Sequence, residues 1–301
     1  MTYSEAGLMT NTERVLGSKV DLAVSSGARA RTVLVTSGTG KTGRRVVERL
    51  GSGDVPVRVG SRAGEVRFDW ADDSTWGAAL RGADAAYVAY YPDLAAPGAQ
   101  DAMRLFGRTA VDTGVRRVVL LSGRGEPEAV LAERALGEAY PDLTVIRSAF
   151  FAQNFSEGAM TEGVLAGVVA FPGGGTAEPW IDADDVADVV VAALTEDGHE
   201  GQTYELTGPR LLTFAEAAAE ISRMTGRAVR YTAVSGTEYA ESLNRFGLPV
   251  PEAEWLAGLF TTLLDGHNAS TTDGVKRVLG REPRDFAAFA RHAAAAGAWE
   301  G

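Results

Sequence analysis

The residues best suited to chemistry lie together near the start of the chain's ordered pattern. Thr36-Ser37-Gly38-Thr39-Gly40-Lys41-Thr42-Gly43 places Gly38, Gly40 and Gly43 in G-x-G-x-x-G spacing. The run follows the β-branched stretch Thr32-Val33-Leu34-Val35-Thr36 and precedes the helical stretch Arg44 to Leu50. Glycine lets the chain turn sharply and leaves room for a pyrophosphate, and the N–H groups of the following helix attract its charge. In this context the loop reads as a dinucleotide site. Gly40-Lys41-Thr42 also has the ending of a P-loop, but the glycine required five residues earlier is Val35, which excludes that motif.

The second strand, Val55 to Val59, runs into Gly60-Ser61-Arg62. An NAD site usually places a carboxylate there for the ribose hydroxyls, and such a group would repel a 2′-phosphate. Ser61 and Arg62 instead offer a hydrogen bond and a positive charge, with Lys41 as a further charge. The expected cofactor is therefore NADP(H).

The elements that must hold these residues alternate. Strands are predicted at Thr32 to Thr36, Val55 to Val59, Glu65 to Phe68, Ala85 to Ala89, Arg117 to Leu121 and Leu143 to Arg147. Helices are predicted at Arg44 to Leu50, Asp72 to Leu80 with Asp72 or Asp73 as cap, Gln100 to Thr113, and Glu128 to Ala139. Continuous apolar strands imply burial on both faces, hence an α/β fold with a doubly wound parallel sheet, a Rossmann fold. Further on, Asp184 to Leu194 reads as a helix, Gln202 to Leu206 as a strand, and Phe214 to Thr225 as a helix capped by Thr213. From there to Trp299 the pattern is mainly helical, with breaks at Gly226, Pro249, Gly266 and Pro283. This divides the chain into an N-terminal extension (1–31, with Met9 as an alternative start), a dinucleotide-binding domain (32–150), and a substrate-covering region interleaved with the last Rossmann elements (151–301). Asp184 and Asp185 read as helix-start acids, and Trp70, Trp76, Trp180, Trp255 and Trp299 as packing residues.

Composition narrows the function. A net charge of −11 disfavours nucleic acid. The chain has no cysteine and three separated histidines, which disfavours disulfides, thiolate sites and a zinc centre, so no metal is expected. No stretch is apolar for long enough to span a bilayer, and the start lacks a secretory-signal pattern. The expectation is a cytoplasmic protein, monomer or homodimer, acting on a small molecule without nucleic acid or membrane.

The glycine loop, Phe68-Asp69-Trp70, Val118-Val119-Leu120-Leu121-Ser122 and Phe151 to Phe155 resemble the NmrA-like atypical short-chain dehydrogenase/reductases. Closer still is the festuclavine synthase/agroclavine dehydrogenase group of ergot alkaloid biosynthesis. That likeness is carried by Val66 to Trp70 with Thr75-Trp76-Gly77, Gly208-Pro209, Arg245 to Pro249 and Gly280 to Arg284. The resemblance implies that Gly38, Thr39, Gly40, Thr42 and Gly43 hold the pyrophosphate and Arg62 the 2′-phosphate; Ser37, Lys41 and Ser61 are counted with them as cofactor-binding. Asp69 and Trp70 would border the adenine, while Tyr90, Tyr91 and Pro92 would line the cofactor channel. Ser122 and Gly123 would lie beside the nicotinamide, and Phe150, Phe151 and Asn154 would face the substrate. Ser37 stands where many members have glycine, and Arg147-Ser148 where many have Arg-Pro.

Typical short-chain dehydrogenases protonate a carbonyl oxygen with Tyr-x-x-x-Lys. The helix after Ser122 has neither residue, and Tyr140 beyond it has no lysine four positions on. Ser122, Tyr90, Tyr91 and Glu133 remain as candidate donors, each with a plainer reading: Ser122 ends a strand, the tyrosines pack on the cofactor, and Glu133 is a solvated helix charge. A site without an acid suits hydride transfer to an electrophile that is already activated, an imine, iminium or conjugated carbonyl, in secondary metabolism. Two alternatives are a quinone or azo reductase and a non-catalytic NADP-sensing regulator of NmrA type.

Overall fold

The computed structural model describes residues 32–300; the expectations for 1–31, including a start at Met9, lie outside the described residues. The apolar runs pair as one parallel sheet of seven strands. In chain order these begin with β1 (Val33–Val35), α1 (Gly43–Ser52), β2 (Val57–Ser61), β3 (Val66–Arg67), α2 (Trp76–Leu80) and β4 (Ala85–Val88). There follow α3 (Ala99–Asp112), β5 (Arg117–Gly123), α4 (Pro127–Ala139) and β6 (Thr144–Ser148). The chain then makes α5 (Thr161–Ala166), β7 (Val168–Phe171), β8 (Ala177–Glu178), α6 (Ala183–Thr195) and β9 (Thr203–Leu206). The last elements are β10 (Leu212–Thr213), α7 (Phe214–Thr225), β11 (Arg230–Ala233), α8 (Gly236–Arg245), α9 (Val250–Leu263), α10 (Gly274–Leu279) and α11 (Phe286–Ala295).

The sheet order is β3-β2-β1-β4-β5-β6-β9. Connections run outward in opposite directions from β1 and β4, so a crevice opens beyond the carboxyl ends of these strands, where open α/β sheets bind ligands. Helices cover both faces: α2, α3 and α4 lie on one, α1, α6 and α10 on the other. Leu34, Ala86, Val118 and Leu120 pack on the first face, and Val33, Val35, Tyr87, Val119 and Ile146 on the second. This two-sided burial explains why the strands read as unbroken apolar runs.

A third core belongs to the C-terminal lobe. Phe155, Phe171, Trp180, Phe214, Phe286 and Trp299 are buried there, with Trp180 and Phe214 edge to face at 4.9 Å. The mainly helical ending expected after Thr225 is present as α8 to α11, but the lobe also has short strands that were not expected. β11 pairs in parallel with β7, and β10 pairs antiparallel with β8. β8 and β10 have two residues each, and β11 is largely exposed, so none has an apolar period to read. The predicted helix from Asp72 is likewise shorter, a 3₁₀ turn at Asp73–Thr75 leading into α2.

The expectation for Thr213 stands: its hydroxyl accepts from Glu216 N while Glu216 accepts from Thr213 N, a reciprocal cap. Asp184 and Asp185 need a correction. The cap of α6 is Asp182, whose carboxylate accepts from Asp184 N at 2.8 Å. Asp184 pairs with Arg49 at 2.7 Å. Asp185 is fully buried and pairs with Arg284 at 2.5 Å and Arg281 at 2.7 Å, and also accepts from Arg284 N. It thereby ties α6 to the segment entering α11. Asp188 also pairs with both arginines, at 2.6 and 3.0 Å, so losing Asp185 is costly but at the low end of the range for breaking a buried pair. Asp185→Ala is expected to lower stability by about 3 kcal/mol, read from the midpoint of urea unfolding; an unchanged midpoint would show that the arginines turn to water at no cost.

Candidate functional site

The glycine turn is anchored by side chains that leave its tip free. Thr36 Oγ1 donates to Tyr87 O and accepts from Ala89 N, both at 3.0 Å. Ser37 takes a left-handed backbone, φ 49°, the conformation glycine adopts most readily. Its hydroxyl donates to Ala89 O at 2.9 Å, which accounts for serine at this position. A Cβ on Gly43 would fall 2.3 Å from Ser37 O, and one on Gly38 would fall 2.7 Å from Val59 Cγ1. These glycines let the helix start press against the turn. Thr42 is buried and accepts from Tyr87 OH at 2.9 Å, while Thr39 and Gly40 are exposed at the tip.

Beyond β2, Arg62 is exposed and its guanidinium lies 5.8 Å from the centre of the Tyr91 ring. Ser61 ends β2 beside it. Lys41 does not join this corner. It reaches Asn154 Oδ1 at 2.5 Å and lies 5.6 Å from the Phe151 ring. Burial, with Arg45 and Arg44 nearby, pulls its ammonium down to about 8. The expected second charge at the 2′-phosphate is thus corrected to a contact between the glycine loop and the turn after β6.

Trp70 sits in an aromatic cluster, 4.8 Å from Phe68, 5.0 Å from Tyr90 and 5.4 Å from Phe106. Its indole N–H donates to Ala89 O at 2.9 Å. Asp69 orders the adjoining turn, its carboxylate accepting from Ala71 N and its carbonyl from Trp76 Nε1. Pro92 follows a cis peptide at Tyr91-Pro92.

Ser122 and Glu133 come together, but as a closed unit. Ser122 Oγ donates to Glu133 Oε1 at 2.6 Å, and Arg147 donates to the same carboxylate at 2.7 and 3.0 Å. Glu133 is buried rather than solvated. The Ser122 proton is therefore committed to a carboxylate that an arginine already neutralises, a poor arrangement for an acid.

A cavity of about 200 Å³ opens beside the ends of β4, β5 and β6. Tyr90, Phe150, Phe151 and Phe260 give it aromatic walls, and Ser122, Gly123 and Asn154 reach its edge. Phe150 packs edge to face on Trp180 at 5.6 Å. The expected nicotinamide-side and substrate-side residues thus share one hollow, whereas the expected Arg62 corner lies on the other arm of the crevice.

The same cavity contains residues that reading the sequence missed: Asp93, Arg124, Glu126, Glu178 and Asn268. The expectation of a pocket without an acid was drawn from α4 alone, and the carboxyls come from other elements. Glu126 is the residue before α4, but its side chain makes no cap. It turns into the cavity, where Oε2 has no hydrogen-bond partner among the described residues. Burial and the neighbouring carboxyl of Asp93 push it up to about 9, and burial raises Asp93 also. Glu178, on β8, is 2 % exposed, and its Oε1 has no hydrogen-bond partner among the described residues. Burial pushes it up to about 7, against the pull of Arg124 and His267. Arg124 is already engaged, donating to Glu205 at 3.0 Å and to Asn268 O at 2.8 Å, and so pins the segment after α9 over the cavity. A usable signal did exist for Asp93 and Glu126. Both follow the carboxyl ends of strands beside the switch point. Glu178 carried no signal.

No protein-family model matches the chain. Among characterised relatives, the NAD(P)H azoreductase of Xenophilus azovorans is 35 % identical over 294 residues, covering 88 % of this chain and 99 % of the relative. Agroclavine dehydrogenase of Claviceps fusiformis is 30 % identical, over 86 % of this chain and 96 % of its own. The chain belongs to the NmrA-like atypical short-chain dehydrogenase/reductases. It is thus an oxidoreductase of an NAD(P)-dependent family. The fold agrees: the triphenylmethane reductase of Citrobacter sp. complexed with NADP(H) superposes with a TM-score of 0.70 at 20 % identity, over 87 % of this chain and 99 % of that one. No described helix is long and apolar enough to cross a membrane.

Keeping Glu126 protonated has a stability consequence. Between about pH 4.5 and 9 the unfolded chain releases this proton and the folded chain keeps it, so stability falls as pH rises through that window. Glu126→Gln removes the slope. Its stability relative to the parent is expected to climb from pH 5 to pH 9, by up to about 1.4 kcal/mol per pH unit, in paired urea titrations. A constant difference would show that Glu126 ionises normally in the fold.

Proposed function

We propose that the chain binds NADPH along the crevice and directs hydride to a small conjugated electrophile, an imine, iminium or conjugated carbonyl. The observation that carries this reading is the aromatic cavity at the ends of β4, β5 and β6, on the same crevice as the glycine turn. The free tip at Thr39 and Gly40, with Gly38, Thr42 and Gly43 behind it, suits a pyrophosphate. Ser61 and Arg62 meet the 2′-phosphate, with Tyr91 behind the guanidinium, and Asp69 and Trp70 border the adenine. Tyr90 and Pro92 flank the channel, which leads to Ser122 and Gly123. Lys41, held by Asn154, adds positive charge toward the substrate end. The bound cofactor would supply two electrons and a hydrogen as hydride. The protein supplies alignment and the exclusion of water by Phe150, Phe151 and Phe260.

The similarity to an azoreductase supports a second reading, reduction of a neutral azo or quinone acceptor. The similarity to agroclavine dehydrogenase supports a place in secondary metabolism. A sensor without turnover has no need of orphaned carboxyls and aromatic walls beside the expected hydride position, so turnover is favoured. NADPH oxidation against cyclic iminium ions, enones, quinones and azo dyes tests the reading; inertness toward all four classes would contradict it.

Two variants test the cofactor assignment. Arg62→Ala is expected to weaken NADPH by about 1.5–3 kcal/mol and leave NADH nearly unchanged, since only one of them carries the 2′-phosphate. Equal losses in calorimetric titrations would sink the assignment. Gly40→Val is expected to abolish binding of both while the fold persists, because its side chain would take up the pyrophosphate's space; a folded variant with unchanged affinity would reduce the loop to a plain turn.

A further inference from the structure

The cavity contains a carboxyl pair for which hydride transfer to a cationic acceptor has no use. Glu126 comes from the corner between β5 and α4, and Asp93 from the loop after β4, and their side chains hydrogen-bond to one another. Glu126 lies so close to the backbone at the end of β5 that a Cβ on Gly123 would fall 2.0 Å from its Oε1. Only glycine permits that placement, and Gly123 is where the nicotinamide is expected. Glu126 lines the cavity and is 7 % exposed, and its buried Oε2 has no hydrogen-bond partner among the described residues. Asp93 is fixed from its other side, accepting from Ala95 N at 2.8 Å. Two carboxyls in contact, one of them buried, resist ionising together, and the buried Glu126 is the one that keeps its proton.

We propose that Glu126, held by Asp93, is the proton donor of this site, protonating the substrate atom that gains an electron pair as hydride arrives. This rests on the reductase reading above and assigns the proton that its neutral acceptors require. The step balances as follows. With a neutral C=O, C=C or N=N acceptor, hydride from the reduced nicotinamide forms a bond to one atom and the π pair moves to the far end of the conjugated system. That atom takes the proton of Glu126, whose O–H electrons remain on the carboxylate, and water later restores the proton. The acceptor gains two electrons and two hydrogens, and the nicotinamide is oxidised. With an iminium ion, hydride alone gives the neutral amine and no proton is consumed.

The charged neighbours that act on Glu126 are acidic: Asp93 across from it, and Glu128 and Glu133 on α4. Around the cavity stand Glu178 from β8, Tyr90 from the end of β4, and Arg124, which is already paired with Glu205. These surroundings hold the proton in place through neutral pH. Asp93 is a positioning residue that sets the pH at which Glu126 gives up its proton.

The test has two parts. The first uses the cofactor-free protein, labelled with ¹³C-glutamate, and infrared spectroscopy at pH 7. A protonated-carboxyl band that disappears in Glu126→Gln is expected; its absence from the parent protein would overturn the proposal whatever the turnover. The second is single-turnover NADPH oxidation with 1,4-naphthoquinone and with the N-methyl-3,4-dihydroisoquinolinium ion. In Glu126→Gln the ratio of quinone rate to iminium rate is expected to fall by ~10²–10⁴, the range for losing a general acid. In Asp93→Asn the alkaline limb of the quinone rate is expected to move to lower pH, because the like charge that raises Glu126 is gone. Equal losses on both acceptors, or an unchanged ratio, would overturn the donor role. A parent protein that reduces neither acceptor but shows the band would count against the reductase reading instead.

Discussion

The carbonyl oxygen of Ala89 receives two hydrogen bonds, from Ser37 Oγ and from Trp70 Nε1, each at 2.9 Å. Ala89 lies just past β4, so this one acceptor joins the three parts of the crevice. Through Ser37 it fixes the left-handed turn that opens the glycine loop. Through Trp70 it fixes the aromatic cluster beneath Tyr90. Through the chain itself it sets the start of the segment that carries Tyr90, Tyr91 and Asp93. Removal of either donor would leave the acceptor with one bond and free one wall of the crevice.

The cavity obeys a second constraint. Burying a carboxyl without a full set of partners is costly unless it stays neutral. Glu133 avoids the cost by accepting from Ser122 and pairing with Arg147. Glu126 and Glu178 do not, for each retains an oxygen without a partner. Three acids in one neighbourhood thus divide into a neutralised structural carboxylate and two groups left open to a ligand. Natural folds seldom tolerate such orphans away from a site that uses them.

The sheet and the glycine loop were legible because their physics is local. A strand buried on both faces has to be apolar throughout, and a helix that starts against a turn has to have glycine where Gly43 meets Ser37 O. The lobe strands were not, because two-residue pairs and a half-exposed edge leave no period. Lys41 was misplaced because its partner, Asn154, approaches only through the fold. Glu133 looked like a solvated helix charge until two neighbouring strands brought Ser122 and Arg147 to it. Asp93 and Glu126 each stood in a readable place, after a strand end, but their contact was not legible, because only the adjacency of β4 and β5 makes them one group.

The central claim is that this crevice passes hydride from NADPH to an acceptor seated against Gly123 and Phe150. The direct measurement is transfer of label from NADPH deuterated at C4 to a cyclic iminium ion, followed by mass and NMR analysis of the amine. The account predicts one deuterium, located on the former C=N carbon and enriched at one face of it. An amine without deuterium, or a folded protein that binds NADPH and transfers none of the label, would contradict it.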